Sequence, residues 1–369
     1  MSIKAARAEA ERHIENARAG LHPDDLNQDE LDRDKHLYPK ISGKYLQEHV
    51  ARELADNTYK QYKGIIRHQV TKKWKHKPIQ SITYQAVKEA VDNIAGPIFD
   101  ERGMLTGYER GTLGNRSKAV FQAFFKWCFE EGYLLPTEPN PASNIKRPLK
   151  REPPRERDLS PGEIKLLWET LDAIGYPYGP CYKFLLITAQ RKSEVAGLKW
   201  SDLKTIKQEF DNKTHEYLCW TQSANKSGRK HVVPLPPLAA KLLKDLKKDY
   251  HVGDYVFTTT GDKPVNGFSK IKRRIDKAIQ KAEPGELFQE SWQNHDMRRT
   301  ATTQMRALGI PASVCARLLN HAEIGVTSRV YDQYDMLPEK AEALKKWADY
   351  LERLTNADNS NVSELRRAI

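Results

Sequence analysis

The chain has 369 residues, a formal net charge of +12 and 39% hydrophobic residues, enough for two domains with buried cores. No apolar run approaches the length of a membrane span, and the charged start MSIKAARAEAERHIENARAG lacks the apolar stretch of a secretory signal. Four widely spaced cysteines (Cys128, Cys181, Cys219, Cys315) with no CxxC pair argue against a disulfide framework or a zinc site and for a reducing, cytoplasmic setting.

Residues 1–20 read as one amphipathic helix, followed by the acidic loop HPDDLNQDELDRD. Residues 1–40 carry 7 Lys/Arg against 9 Asp/Glu, so the rest of the chain holds an excess of +14. From 41 to 140 the pattern is helical. Tyr45, Val50 and Leu54 open it, and Tyr59, Tyr62, Ile65 and Ile66 continue it at three- and four-residue spacing. The run KQYKGIIRHQVTKKWKHK at 60–77 contains seven Lys/Arg and no acid. A block of this kind is either a solvated helix face or a surface for phosphates, where cations displace condensed counterions. The stretch Gly103–Gly114 breaks the pattern and reads as a loop. NRSKAVFQAFFKWCFEEGYL then places Val120, Phe124, Trp127 and Cys128 on one helical face.

Residues 140–158, NPASNIKRPLKREPPRERD, hold four prolines, six Lys/Arg and almost no apolar side chains, so a basic linker that packs no core is expected at 141–158. Ser160-Pro161-Gly162-Glu163 has the form of a capping box with proline at the first helical position. A second, mixed domain is expected over 159–350. EYLCW (216–220) and HVVPL (231–235) read as strands joined by a turn containing Gly228, and DYVFT (254–258) as a third. The final helix, AEALKKWADYLERL, carries an apolar stripe of Leu344, Trp347, Ala348 and Leu351. A short tail, 351–369, follows. The fold class is therefore mainly α with a small β-sheet (α+β).

Several residues invite a chemical role, yet each has an ordinary structural one. Arg191 can pair with Glu194 one helical turn away. His295 and Arg298 share a helix face at i, i+3. Lys226 sits in a hairpin turn, His321 at a helix end, and Tyr331 is one of 16 tyrosines. Order and spacing change this reading. Arg191-x-x-Glu194, Lys226, His295-x-x-Arg298, Leu318-Leu319-Asn320-His321 and Tyr331 ten residues later strongly resemble the signature of the tyrosine recombinases, the phage-integrase family. The resemblance extends over about 41–350. It includes ITAQRKSE, GLKW, KSGRKHVVPL, HDMRRT and ALGIP, and VYDQYD is similar to integrases of prophages and genomic islands. Asn294 stands where proline is frequent, and Asn320 where glycine is usual; asparagine tolerates a left-handed backbone better than other non-glycine residues. Tyr334 lies three residues beyond Tyr331, and the family's usual distance from the histidine favours Tyr331.

The residue types suit phosphoryl transfer. Arginine stays charged and fits phosphate bidentately, so Arg191 and Arg298 can clamp the scissile phosphate and stabilise the pentacovalent transition state. Lys226 can protonate the leaving 5′-oxygen, His295 can take the tyrosine proton, and His321 can hydrogen-bond the phosphate. The resemblance implies a 3′-phosphotyrosyl intermediate formed without ATP, cofactor or metal. It also implies a helical core-binding domain at 41–140 and a catalytic domain at 159–350 that clamp DNA together, with 1–40 a remnant of an arm-binding domain. The implied DNA contacts are Lys60, Lys63, Arg67, Lys72, Lys73 and Lys75, with Lys146, Arg147, Lys150 and Arg151 from the linker. The implied partners are double-stranded attachment core sites and three further copies in a tetramer, with the last helix docking in a neighbouring subunit. A host DNA-bending factor and an excisionase are left open, and no membrane partner is implied. Two alternatives stand beside integration and excision of a mobile element: a type IB topoisomerase-like relaxing enzyme with the same residue set, and a non-catalytic DNA-binding protein. For the second, residues 300–321 resemble a helix-turn-helix with Gly309-Ile310-Pro311 as the turn.

Overall fold

The computed structural model describes residues 36–356 apart from 136, 138, 211, 223–230, 284, 286–287, 289 and 322–333, and before them only Arg7, Ala10 and Ile14. The expected N-terminal helix and acidic loop lie almost wholly outside the described residues. So do most of the tail, Lys226 and Tyr331. The chain divides into two compact units, Met1–Pro154 and Arg155–Ile369.

The first unit is built from aromatic residues at helical spacing. A helical run opens with α1 (Tyr38–Lys44) and continues through a π-helical turn, Tyr45–Val50, into Ala51–Glu53. It is followed by α2 (Asp56–Ile66), a 3-10 turn at Gln69–Trp74, α3 (Tyr84–Ala95), a hairpin of β1 (Pro97–Phe99) and β2 (Leu105–Tyr108), and α4 (Gly111–Glu130). The hairpin corrects the expected loop: Pro97 pairs with Tyr108 and Ile98 with Gly107. Gly103, at φ +73°, takes the left-handed turn between the strands. In α4 the expected face of Val120, Phe124, Trp127 and Cys128 is buried, and Phe121 and Phe125 are buried beside it. Tyr38 packs edge-on against Trp74 and Phe124. Its hydroxyl donates to the Ile66 carbonyl at 2.9 Å, as does that of Thr71, so the last carbonyl of α2 is capped by two side chains.

The expected linker is a docked segment. Ala142 and Ile145 belong to the core of the first unit, and the Asn115 amide donates to the Leu149 carbonyl at 2.9 Å. Composition misleads here because two apolar side chains and one amide are enough to hold a proline-rich stretch whose own backbone needs few partners. Beyond Pro154 the chain attaches to the second unit. Arg155 binds Asp296, Arg157 is buried against Glu163, and the Leu159 amide donates to the Thr300 hydroxyl at 2.9 Å.

The second unit contains α5 (Pro161–Ile174), α6 (Tyr178–Thr188), α7 (Lys192–Ala196), a three-stranded sheet, α8 (Pro237–Tyr250), α9 (Phe268–Ala282), α10 (Asn294–Ala307), α11 (Ala312–Leu318) and α12 (Leu337–Asn356). The capping box at Ser160 and Glu163 forms in both directions. The sheet runs β3 (Leu203–Phe210), β4 (Lys213–Gln222), β5 (His231–Pro234), all antiparallel and in that spatial order. The third strand is thus 203–210 and not 254–258, where Tyr255 makes only an isolated bridge to Lys199. LKTIKQEF lacks an apolar face strong enough to announce itself, and pairing with β4 along the whole of its own length stabilises it instead. Leu344, Trp347, Ala348 and Leu351 of α12 are buried in this unit's own core, and the Trp347 ring donates to the Leu186 carbonyl at 2.9 Å. The apolar stripe of the final helix therefore packs within the chain, which removes it as a surface for a neighbouring subunit. Between α10 and α11, Gly309 turns at φ +82°, so the helix-turn-helix resemblance of 300–321 reflects a real pair of short helices.

Candidate active site

Three chain segments of the second unit meet where the sequence places its cationic residues. The first is the turn after α6. Ala189 caps that helix at φ +56°, a left-handed conformation that costs an alanine about 1 kcal/mol. The turn leads through the buried Gln190 to Arg191, which stands extended just before α7. The Arg191 guanidinium donates to Glu194 Oε1 at 2.9 Å, and its backbone amide to Oε2 of the same carboxylate at 3.1 Å. Glu194, itself nearly buried, thus holds Arg191 at both ends of the residue. The ion pair expected from spacing is real, and it orients the arginine.

The second segment is the start of α10. His295 and Arg298 sit one turn apart on it; His295 is exposed and Arg298 is buried. Arg298 donates to the carbonyls of Ala189 at 2.9 Å and Leu319 at 2.6 Å. The third segment is the end of α11, where Asn320 adopts φ +49°, the left-handed conformation its residue type allows. His321 follows, exposed, with its amide bonded to the Ala316 carbonyl at 3.0 Å.

The end of α11 shows why these segments converge. A helix leaves its last carbonyls without partners, and here side chains from elsewhere supply them. Leu318 accepts from Gln190 Nε2 at 3.0 Å and from the His231 ring at 3.1 Å, and Leu319 accepts from Arg298. Cationic and N–H donors at a helix C-terminus also meet the favourable end of its dipole. The turn after α6, the strand β5 and the helix α10 are all tied to one helix end.

Electrostatics follow from that crowding. Burial, and then the Arg191 charge, pull the Arg298 guanidinium down to about 10, with Glu194 opposing; it remains a cation at neutral pH. Among the described residues no carboxylate forms an ion pair with it. His295 is lowered by desolvation first, then by Arg298 and Arg299, with Asp296 opposing. His321 is lowered by desolvation, Arg298, Arg191 and His295. Both histidines are therefore neutral at neutral pH, beside a concentration of fixed positive charge. A buried cation without a counter-ion is costly, so the site favours an anion. Among the described residues no three His, Cys, Asp or Glu side chains cluster as metal ligands.

Of the six residues expected from sequence, Arg191, His295, Arg298 and His321 are brought together. Lys226 falls in the connection between β4 and β5, and Tyr331 between α11 and α12, both outside the described residues. Tyr334 is described: it is half exposed and its hydroxyl lies 3.0 Å from both Glu339 carboxylate oxygens. Partial burial and that carboxylate raise its phenol above the ordinary value. The ten residues expected to touch phosphate are all exposed on the first unit. Lys60 and Lys63 lie on α2, Arg67 ends it, and Lys72, Lys73 and Lys75 occupy the next turn, over the buried Ile65, Ile66 and Trp74. Sequence reasoning missed Gln190, His231 and Lys340. Lys340 carried a visible signal, since it continues the stripe of Leu344, Trp347 and Leu351 at i−4, i−7 and i−11.

Comparison with known proteins places the chain. Residues 157–337 match the phage integrase family. A tyrosine recombinase XerC-like protein of Caldanaerobacter subterraneus subsp. tengcongensis is 24% identical over 61% of this chain and 63% of its own length. The prophage integrase IntF of Escherichia coli is 21% identical over 74% of this chain and 55% of its own. The chain thus spans less than two thirds of the length of either curated relative. In fold it is similar to a lambda integrase tetramer bound to a Holliday junction, with a TM-score of 0.58 at 15% identity over 87% of this chain and 88% of that one. It is also similar to the Tn1549 transposon integrase in complex with circular intermediate DNA, with a TM-score of 0.56 at 15% identity over 81% and 96%. Residues 157–337, within the second unit, thus form a phage integrase family domain, and the fold of the chain is that of these integrases.

Proposed function

We propose that this protein is a site-specific DNA recombinase that cuts and rejoins strands through a 3′-phosphotyrosyl intermediate, integrating or excising a mobile element of the prophage or genomic-island kind. The observation that carries the reading is the buried Arg298, with which no carboxylate forms an ion pair among the described residues, beside Arg191, whose guanidinium is oriented by Glu194. Such a pair accepts a phosphodiester and stabilises the charge that builds on its non-bridging oxygens.

The Tyr331 oxygen attacks phosphorus, the P–O5′ bond breaks and a P–O(tyrosine) bond forms. The phenol proton passes to His295, which is neutral and so able to receive it. Lys226 gives a proton to the departing 5′-oxygen, and His321 donates to a phosphate oxygen. Attack by a 5′-hydroxyl from the partner strand reverses these transfers and reseals the backbone. Tyr334 is the poorer nucleophile because Glu339 holds its hydroxyl and disfavours the phenolate. Residues 41–140 act as the core-binding domain, and its exposed lysines and arginines neutralise phosphates. Residues 159–350 act as the catalytic domain, and four copies assemble on two attachment core sites.

The test is covalent trapping. A nicked suicide duplex bearing the attachment core of the protein's own element is incubated with wild type, Tyr331→Phe and Tyr334→Phe, and labelled DNA is followed on denaturing gels. Adduct with wild type and Tyr334→Phe but not with Tyr331→Phe is expected. Tight binding without adduct would return the chain to the non-catalytic alternative, and site-independent plasmid relaxation would support the topoisomerase-like one.

A further inference from the structure

Lys340 is wholly buried, which is rare for an ammonium. It falls in the apolar stripe of α12, where leucine or methionine would satisfy packing alone. Its Nζ donates to the Val232 carbonyl at 2.7 Å and to Asp335 Oδ1 at 2.8 Å. The first partner lies on β5, two residues beyond the 223–230 connection that contains Lys226. The second lies four residues beyond Tyr331. Among the described residues β5 is an edge strand of four residues paired with β4 alone, and side-chain ties hold its other side. His231 makes a companion tie from the same strand to the Leu318 carbonyl. Desolvating an ammonium is costly, and the charge is kept where it grips a carbonyl at the foot of the Lys226 connection.

Resting on the recombinase reading above, we propose that Lys340 is a positioning residue for the proton donor Lys226: by clamping Val232 to Asp335 and α12 it fixes β5, the strand into which the Lys226 connection leads. Lys340 touches no reacting atom. Its loss weakens protonation of the leaving oxygen while leaving the phosphate clamp of Arg191 and Arg298 in place.

The leaving group separates this role from a general structural one. Two suicide duplexes are compared, one with the normal 5′-bridging oxygen and one with sulfur there, because a thiolate departs without a proton donor. For Lys340→Met, DNA affinity within about twofold of wild type is expected. Adduct formation on the oxygen duplex should fall at least roughly tenfold, while on the sulfur duplex it stays within about threefold of wild type. Lys340→Arg, which keeps the charge and the donors, should recover most of the loss. Equal losses on both duplexes, or no loss on the oxygen duplex, would overturn the proposal. If Lys340→Met does not fold, Asp335→Asn at a half-exposed position must show the same oxygen-specific loss, and an equal loss on both duplexes there overturns it too. Lys226→Ala serves as the reference. If wild type forms no adduct on either duplex, or if sulfur does not rescue Lys226→Ala, it is the recombinase reading or the Lys226 assignment that fails.

Discussion

Arg298 reaches across from α10 to donate a 2.9 Å hydrogen bond to the carbonyl of Ala189, two residues before Arg191. The two arginines, 107 positions apart in the sequence, are therefore set against each other through the backbone. Ala189 pays for the contact with a left-handed conformation. Because Glu194 holds the other side of Arg191, neither cation is free to swing toward solvent.

The geometry makes the second arginine irreplaceable by lysine. A single ammonium cannot reach the Ala189 and Leu319 carbonyls with a planar fork and still face a phosphate. Arg298→Lys is expected to keep the charge but lower the adduct-forming rate by at least ~100-fold, with DNA affinity little changed. Single-turnover cleavage beside a binding isotherm checks this; a rate near wild type would remove Arg298 from the phosphate clamp.

The lowered histidines predict a pH profile. If neutral His295 accepts the phenol proton, activity is present above its folded pKa and lost as pH falls through it. Since desolvation and Arg298 lower that pKa, the acid limb should lie below the ordinary histidine value of about 6.5. His295→Gln should abolish the limb along with most of the rate. A limb at or above 6.5 in wild type would contradict the site's electrostatics.

His231 makes a separate statement about stability. Burial and the nearby Lys340 push its pKa down to about 3, so the folded state excludes a proton that the unfolded chain binds. Its contribution is present above about pH 6.5 and is lost progressively as pH falls toward 3, at up to about 1.4 kcal/mol per pH unit. Urea unfolding between pH 7 and 4.5 should show a shallower decline for His231→Gln than for wild type.

The basic surface of the first unit predicts a salt dependence. Removing one phosphate-contacting lysine, as in Lys72→Ala or Lys73→Ala, should reduce the slope of log affinity against log salt by roughly 0.9. The loss should be similar on the attachment core and on unrelated DNA. An unchanged slope for both would mark this as an ordinary solvated face.

The final helix is expected to act through stability. Trp347→Ala removes a fully buried ring and its bond to Leu186, at a cost of roughly 3–5 kcal/mol. A chain ending near residue 337 should therefore lose the fold of its second unit, visible as a lost cooperative unfolding transition, rather than merely fail to assemble.

What could be read in the sequence was whatever depends on local periodicity or on fixed chemical spacing. The apolar face of α4, the capping box at Ser160, the strands around 216–220 and 231–235, and the i, i+3 pair of His295 and Arg298 are properties of neighbouring residues. They survive any tertiary arrangement. The order of Arg191, His295, Arg298 and His321 was equally visible, because it resembles the tyrosine-recombinase signature and the residue types suit a phosphate.

Tertiary structure decided the rest. LKTIKQEF becomes a strand only because β4 offers it a partner along its length, and DYVFT makes one bridge because no neighbour does. The segment 140–158 looks like a free linker until Ile145 finds the first core and Arg157 finds Glu163. The left-handed turn at Ala189 is invisible in a residue that normally avoids it. The partners of Lys340, the Val232 carbonyl and Asp335, are set only when β5 and α12 pack together. In each case the deciding energy comes from groups distant in the chain, and only folding brings them within hydrogen-bonding reach.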